Sequence, residues 1–129
     1  MTRELTRILY VEDDPDIQAI AMMVLETISG FTVEACSCGS DALQKAVAFN
    51  PDLILLDVMM PGMDGPETLK GLRAFPELET TPVVFMTAKV QPQEVQAYLG
   101  MGAVGVIAKP FDPMTLAQEL RDIWARQQL

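Results

Sequence analysis

Leu53-Ile54-Leu55-Leu56-Asp57, followed by Val58-Met59-Met60-Pro61-Gly62-Met63-Asp64-Gly65, is the stretch that decides the fold. Four consecutive aliphatic residues leave no polar face, so the run reads as a strand buried on both sides, as in a parallel sheet. It stops on an acid. A loop of Gly, Pro and Met then separates it from a helix expected over 66–74 and opened by Pro66. A buried strand ending on a carboxylate just before such a turn puts that carboxylate at the rim of a sheet.

The same unit recurs in both directions. Upstream, Ile8-Leu9-Tyr10-Val11 is a second continuous apolar run, ending on Glu12-Asp13-Asp14. Behind Pro15, the residues Ile17, Ile20, Val24, Leu25 and Ile28 recur at helical spacing, and Gly30 closes that helix. Residues 31–36 read as a strand, and 41–49 as a helix closed by Asn50-Pro51. Downstream, Pro82-Val83-Val84-Phe85-Met86 is a strand ending at Thr87. Val95, Tyr98 and Leu99 mark the apolar side of a helix that ends near Gly100 or Gly102. A short strand over 104–108 leads to Lys109-Pro110, and a last helix from about Pro113 carries Leu116, Leu120, Ile123 and Trp124 on one stripe.

Strand and helix alternating in this way define an α/β fold with right-handed crossovers and helices on both faces of a parallel sheet. A chain of 129 residues fits the flavodoxin-like (βα)5 doubly wound arrangement, strand order 2-1-3-4-5, as one domain over 1–129. No linker, repeat or low-complexity tract sets off a second domain.

Composition narrows the chemistry. Half the residues are hydrophobic, enough for a packed core. The net charge of −9 repels phosphate backbones, so direct nucleic-acid binding by this domain is not expected. The absence of histidine excludes Ser-His-Asp and Cys-His catalysis and most zinc sites. Cys36 and Cys38 have neither a CxxC spacing nor a disulfide framework. On a strand they would share a face and read as buried free thiols in a reducing cytosol. The N-terminus shows no signal peptide, and the most apolar stretch, 19–25, is too short to span a bilayer, so a cytoplasmic protein with no membrane contact is expected.

Position carries more information than composition. Glu12 and Asp13 end the first strand, Asp57 the third, Thr87 the fourth and Lys109 the fifth. In open α/β sheets ligands bind beyond the carboxyl ends of the strands, where strand order reverses, here between strands one and three. Asp13 and Asp57 would meet there. Two carboxylates about 5 Å apart repel by roughly 3 kcal/mol at an effective dielectric of 20, so the cluster calls for a cation. Oxygen-only ligation by few protein groups suits Mg²⁺. A lysine opposite the acids suits a phosphoryl group, and a threonine hydroxyl can donate to it. Together these groups describe in-line phosphoryl transfer to a carboxylate nucleophile. Asp14 reads as a solvated helix cap, Met59, Met60 and Met63 as loop packing, and Trp124 as a core or edge contact.

Ile8-Leu-Tyr-Val-Glu-Asp-Asp14, Leu55-Leu-Asp-Val-Met-Met-Pro-Gly-Met-Asp-Gly65, Met86-Thr-Ala88 and Lys109-Pro-Phe111 closely resemble the response-regulator receiver domains of two-component systems, single-domain chemotaxis regulators among them. The resemblance runs through essentially the whole chain. It implies that Asp57 accepts the phosphoryl group and that Mg²⁺ is ligated by Asp13, Asp57 and the backbone carbonyl of Met59, with Glu12 acting through a bound water. It implies further that Thr87 and the adjoining Ala88 contact the phosphoryl group, that Lys109 pairs with it, and that Lys109-Pro110 is cis. The partners implied are a sensor histidine kinase or a histidine phosphotransfer protein, which supply the histidine this chain lacks, and a downstream protein target. Many receivers carry Tyr or Phe three residues before the lysine as a rotameric partner of the threonine. Here Val106 stands there, so signal output is expected to rest on Thr87 and the following loop, at the face of the fourth helix, fifth strand and fifth helix. Met59 and Lys89, which flank the expected route of an attacking water, would tune the phosphoryl lifetime.

The alternative on the same fold is a phosphorylation-independent interaction module, against which Asp13, Asp57, Thr87 and Lys109 all argue. A haloacid-dehalogenase-like phosphatase would need a second acid where Met59 stands, and no Gly-rich P-loop follows the first strand. The chain reads as a stand-alone receiver in preference to a piece of a longer regulator.

Overall fold

The computed structural model describes residues 3–128. Five parallel strands form one sheet in the order β2-β1-β3-β4-β5: β1 (Arg7–Val11), β2 (Thr32–Cys36), β3 (Leu53–Asp57), β4 (Val83–Thr87) and β5 (Gly105–Ala108). The helices are α1 (Pro15–Met22), α2 (Gly39–Phe49), α3 (Gly65–Arg73), α4 (Pro92–Gly100) and α5 (Leu116–Gln127). The doubly wound order expected from the strand runs is the one found.

The continuous apolar runs are buried as their lack of alternation requires: every residue of β3 and of β4 is buried. Successive side chains alternate between two helix layers. Ile8, Tyr10, Leu53, Leu55, Val84 and Met86 pack with Leu25 and with Leu116, Leu120 and Ile123 of α5. Leu9, Val11, Ile54, Leu56, Val83 and Phe85 pack with Ala42 and Ala46 of α2 and Leu69 and Leu72 of α3. Removing one such leucine from water stabilises the fold by about 1.5–3 kcal/mol, so the sheet is held rigidly from both sides.

Several local features differ from the sequence expectations. The first helix leaves α-geometry at Met23 and runs on as π-helical turns over Met23–Ile28. The wider turns shift the inward face from there on, so Val24 and Leu25 are buried while Ile28 is 71% exposed; ahead of them, Ala21 is buried and Ile20 is 45% exposed. Cys36 is a buried thiol as expected, but Cys38 is exposed. The strand ends at Cys36, and Cys38 is instead the residue preceding α2, which starts two residues earlier than its spacing suggested. The last helix starts at Leu116, not Pro113: Asp112 first turns the chain, accepting from Met114 N through its side chain and from Thr115 N and Leu116 N through its carbonyl. Met60 is buried, but Met59 is 66% exposed and packs no loop. Trp124 is buried and donates from Nε1 to the Arg3 carbonyl, as a core-edge contact should.

Candidate functional site

Register puts the polar strand ends together. Val11 pairs with Leu56, so the next residues, Glu12 and Asp57, face each other across β1 and β3. Asp57 pairs with Met86 on β4, and Thr87 pairs with Ala108 on β5. The ladder continues past each strand end: Glu12 N donates to Cys36 O at 3.0 Å, Val58 N to Met86 O at 3.1 Å and Lys109 N to Thr87 O at 2.9 Å. The acids and the lysine are therefore held by backbone pairing. The Lys109-Pro110 bond is cis.

Two turns shape the rim. Asp14 caps α1, accepting from Asp16 N and Ile17 N, and its exposed side chain is the solvated cap expected of it. Asp64 and Glu67 form a capping box at α3, and Gly65 N donates to Val58 O at 2.8 Å. At Gly65 a Cβ would lie 2.7 Å from the Asp57 carbonyl oxygen and 2.8 Å from Val58 Cα, so only glycine lets α3 start this close to the end of β3.

Carboxylate oxygens of Glu12, Asp13 and Asp57 lie within 4.8 Å of one another. Glu12 and Asp57 are each 1% exposed, and Asp13 is the more open of the three, at least partly exposed. Lys109 Nζ donates to Glu12 Oε1 at 2.9 Å and to Asp57 Oδ1 at 3.2 Å. Glu12 Oε2 accepts from Asp14 N at 3.2 Å, whereas Asp57 Oδ2 is buried with no hydrogen-bond partner among the described residues. Burial, then the neighbouring Glu12, pushes the Asp57 carboxyl up to about 7 against the pull of Lys109. Burial draws the Lys109 ammonium down, but its hydrogen bond to Glu12 and the charge of Asp57 outweigh that and raise it. An under-satisfied carboxylate in a group of three, beside a single lysine, is a donor set that accepts a hard, oxygen-seeking cation.

The sequence expectation that Asp13 meets Asp57, with Lys109 touching the same pocket, is therefore the geometry found. Thr87 is buried at the end of β4, and its Oγ accepts from Lys89 N at 3.1 Å. Among the described residues it makes no hydrogen bond to the carboxylates. Ala88 follows it, exposed, and Val106 lies half-buried on β5, paired with Phe85. Two residues escaped the sequence reading. Gln18, on the first turn of α1, donates from Nε2 to Glu12 O at 3.1 Å and to Cys36 O at 3.3 Å, tying α1 to the mouth. Tyr10 looked like part of an apolar run, yet its hydroxyl is buried with no hydrogen-bond partner among the described residues and sits in the field of Glu12 and Asp57.

A parallel sheet whose carboxyl edge gathers three acids and a lysine defines an α/β module with an acidic pocket at one edge. Residues 8–121 match the family described as response regulator receiver domain, and the chain belongs to that family, the receivers of two-component signalling. It is 36% identical over 121 residues to the transcriptional regulatory protein CseB of Streptomyces coelicolor, covering 94% of this chain and 50% of that protein. It is 38% identical over 115 residues to the DNA-binding response regulator MtrA of Mycolicibacterium smegmatis, covering 89% and 49%. The chain thus spans about half the length of these curated relatives. Among solved structures, the chemotaxis response regulator CheY4 of Vibrio cholerae matches with a TM-score of 0.85 and 33% identity, over 92% of this chain and 98% of that one. A putative response regulator from Chloroflexus aurantiacus matches with a TM-score of 0.84 and 32% identity, over 95% and 100%. Among the described residues no helix is long and apolar enough to cross a membrane.

Proposed function

We propose that this receiver, one unit over 1–129, takes a phosphoryl group on Asp57 from the phosphohistidine of a sensor histidine kinase or phosphotransfer protein. The observation that carries the reading is the state of Asp57: buried at a strand end, held on one oxygen by Lys109, and on the other without a hydrogen-bond partner among the described residues. An Asp57 oxygen forms the new bond to phosphorus as the phosphorus–nitrogen bond breaks, and the imidazole leaves with the bonding pair and takes a proton. Lys109 turns from its carboxylate partners to the phosphoryl oxygens, while the Thr87 hydroxyl and the Ala88 amide donate to them. Asp13, Asp57 and the Met59 carbonyl would hold Mg²⁺, with Glu12 acting through a bound water. When bound, the ion supplies positive charge that offsets the clustered carboxylates and the charge developing on the phosphoryl group.

Apart from this self-phosphorylation and the later transfer of the phosphoryl group to water, which frees Asp57, the chain is read as a switch and not as an enzyme. Its output face comprises α4, β5 and α5. No residue of α4 is buried, and Val106 and Leu99 leave apolar surface open for a downstream protein target. The net charge of −9 argues against nucleic-acid contact by this segment itself, and a cytoplasmic setting matches the histidine kinase partner. The test is incubation with a small acyl phosphate, with and without Mg²⁺, followed by intact mass. Wild type should gain one phosphoryl group only when Mg²⁺ is present, and Asp57→Ala none. An equal gain in Asp57→Ala would overturn the reading.

A further inference from the structure

Among the described residues two buried side-chain atoms lack a hydrogen-bond partner, the Asp57 oxygen Oδ2 and the Tyr10 hydroxyl. One accepts and the other donates. They lie on neighbouring strands and on the same side of the sheet. Tyr10 pairs with Leu55, two residues before Asp57, and its ring shares a core with Leu55 and Met86. Strand spacing and rise put the two Cα atoms about 8 Å apart. Glu12, Asp57 and Asp14, all at that end of the sheet, are the charges acting on the hydroxyl. A phenol keeps its proton at neutral pH, so the group is a donor. Buried polar groups are rarely left unmade, because each orphan retains the full cost of leaving water, and a shared water relieves both at once.

We propose that Tyr10 is a positioning residue for Asp57: its hydroxyl donates, through one buried water, to Asp57 Oδ2 and fixes the orientation of the carboxylate. Lys109 holds Oδ1 directly and Tyr10 holds Oδ2 through the water, so the carboxylate is fixed at both oxygens. A carboxylate oxygen has more than one lone pair, so this bond leaves Oδ2 open to other partners. The inference rests on the reading of Asp57 as phosphoacceptor, and two measurements keep their failures apart.

The first compares labelling of wild type and Tyr10→Phe with a small acyl phosphate and Mg²⁺. The maximal rate should fall about tenfold while the half-saturating donor concentration stays unchanged, as for loss of one orienting hydrogen bond. The second is a double-mutant cycle on thermal unfolding of the metal-free protein with Tyr10→Phe and Asp57→Ala, which needs no phosphorylation. Tyr10→Phe should lower the midpoint by about 3–6 °C in wild type and leave it unchanged or raised in Asp57→Ala. Additive midpoints with equal labelling rates would make Tyr10 a plain core residue and overturn the inference. A non-additive cycle with equal rates would overturn the positioning role. Wild type that takes no label would refute the phosphoacceptor reading, and with it any role of Tyr10 in that reaction.

Discussion

β3 carries an aspartate at each end, and the two are treated in opposite ways. Asp52, just before the strand, accepts on Oδ2 from Thr6 N at 3.1 Å, Arg7 N at 2.9 Å and Thr6 Oγ1 at 2.9 Å, and on Oδ1 from the Arg3 guanidinium. Burial pushes its carboxyl up, but the hydrogen bonds from Arg7 and Thr6 outweigh that and hold it below the usual range. Asp57, five residues on, has one lysine contact, a second carboxylate as neighbour and an oxygen with no partner among the described residues, and its carboxyl is raised to about 7. The amino end of the strand spends its hydrogen bonds on stability, and the carboxyl end makes fewer direct ones, leaving a group that gains by binding something. Residue type does not separate the two aspartates. Their surroundings do.

The sharpest way to break the contrast is to delete each carboxylate in the metal-free protein. Asp52→Ala strands several donors and should cost about 2–3 kcal/mol of unfolding free energy in a denaturant titration. Asp57→Ala should instead stabilise by roughly 2–4 kcal/mol at about pH 8. The sign follows from the raised pKa. The fold binds the Asp57 proton more tightly than the unfolded chain, so this contribution is fully present below the ordinary value of 3.8 and lost as pH rises through about 7. The advantage of Asp57→Ala should therefore shrink by half or more at about pH 5, while Asp52 matters less only as pH falls through its own depressed pKa. Losses at both ends would erase the distinction.

A smaller effect sharpens it further. Mg²⁺ at about ten times its dissociation constant should stabilise wild type by about 1.4 kcal/mol, and Asp13→Ala or Asp57→Ala should lose that gain. Stripping the ion with a chelator should return wild type to its starting midpoint, and Asp52→Ala should respond to Mg²⁺ as wild type does. Smallest is the effect of the exposed Met59 at the mouth. Met59→Asn, which replaces an apolar side chain with one that can orient water, should speed loss of the phosphoryl group about threefold. Equal or slower loss would remove Met59 from the account.

Much of this is legible in the sequence alone. Continuous runs such as Leu53-Ile54-Leu55-Leu56 can be buried only between two helix layers, so strand order and the meeting of Asp13, Asp57 and Lys109 followed from periodicity and topology. What escaped depended on geometry finer than period. The π-turns over Met23–Ile28 rotate an apolar stripe whose spacing looks α-helical, which is why Ile28 faces solvent. Cys38 depended on where β2 stops, and the start of α5 on a side-chain turn at Asp112. Gln18 and Tyr10 had no signature: one is a polar residue on a helix, the other an aromatic in a strand. Only the positions of their side-chain ends connect them to the acids.

The most direct measurement is to locate the phosphoryl group chemically. Protein labelled with an acyl phosphate and Mg²⁺ is reduced with borohydride, which converts an aspartyl phosphate to homoserine, then digested and mapped by mass. Homoserine at position 57 alone is the expected result. Homoserine at Asp13 or Asp52, or none from a protein that carries the label, would contradict the account.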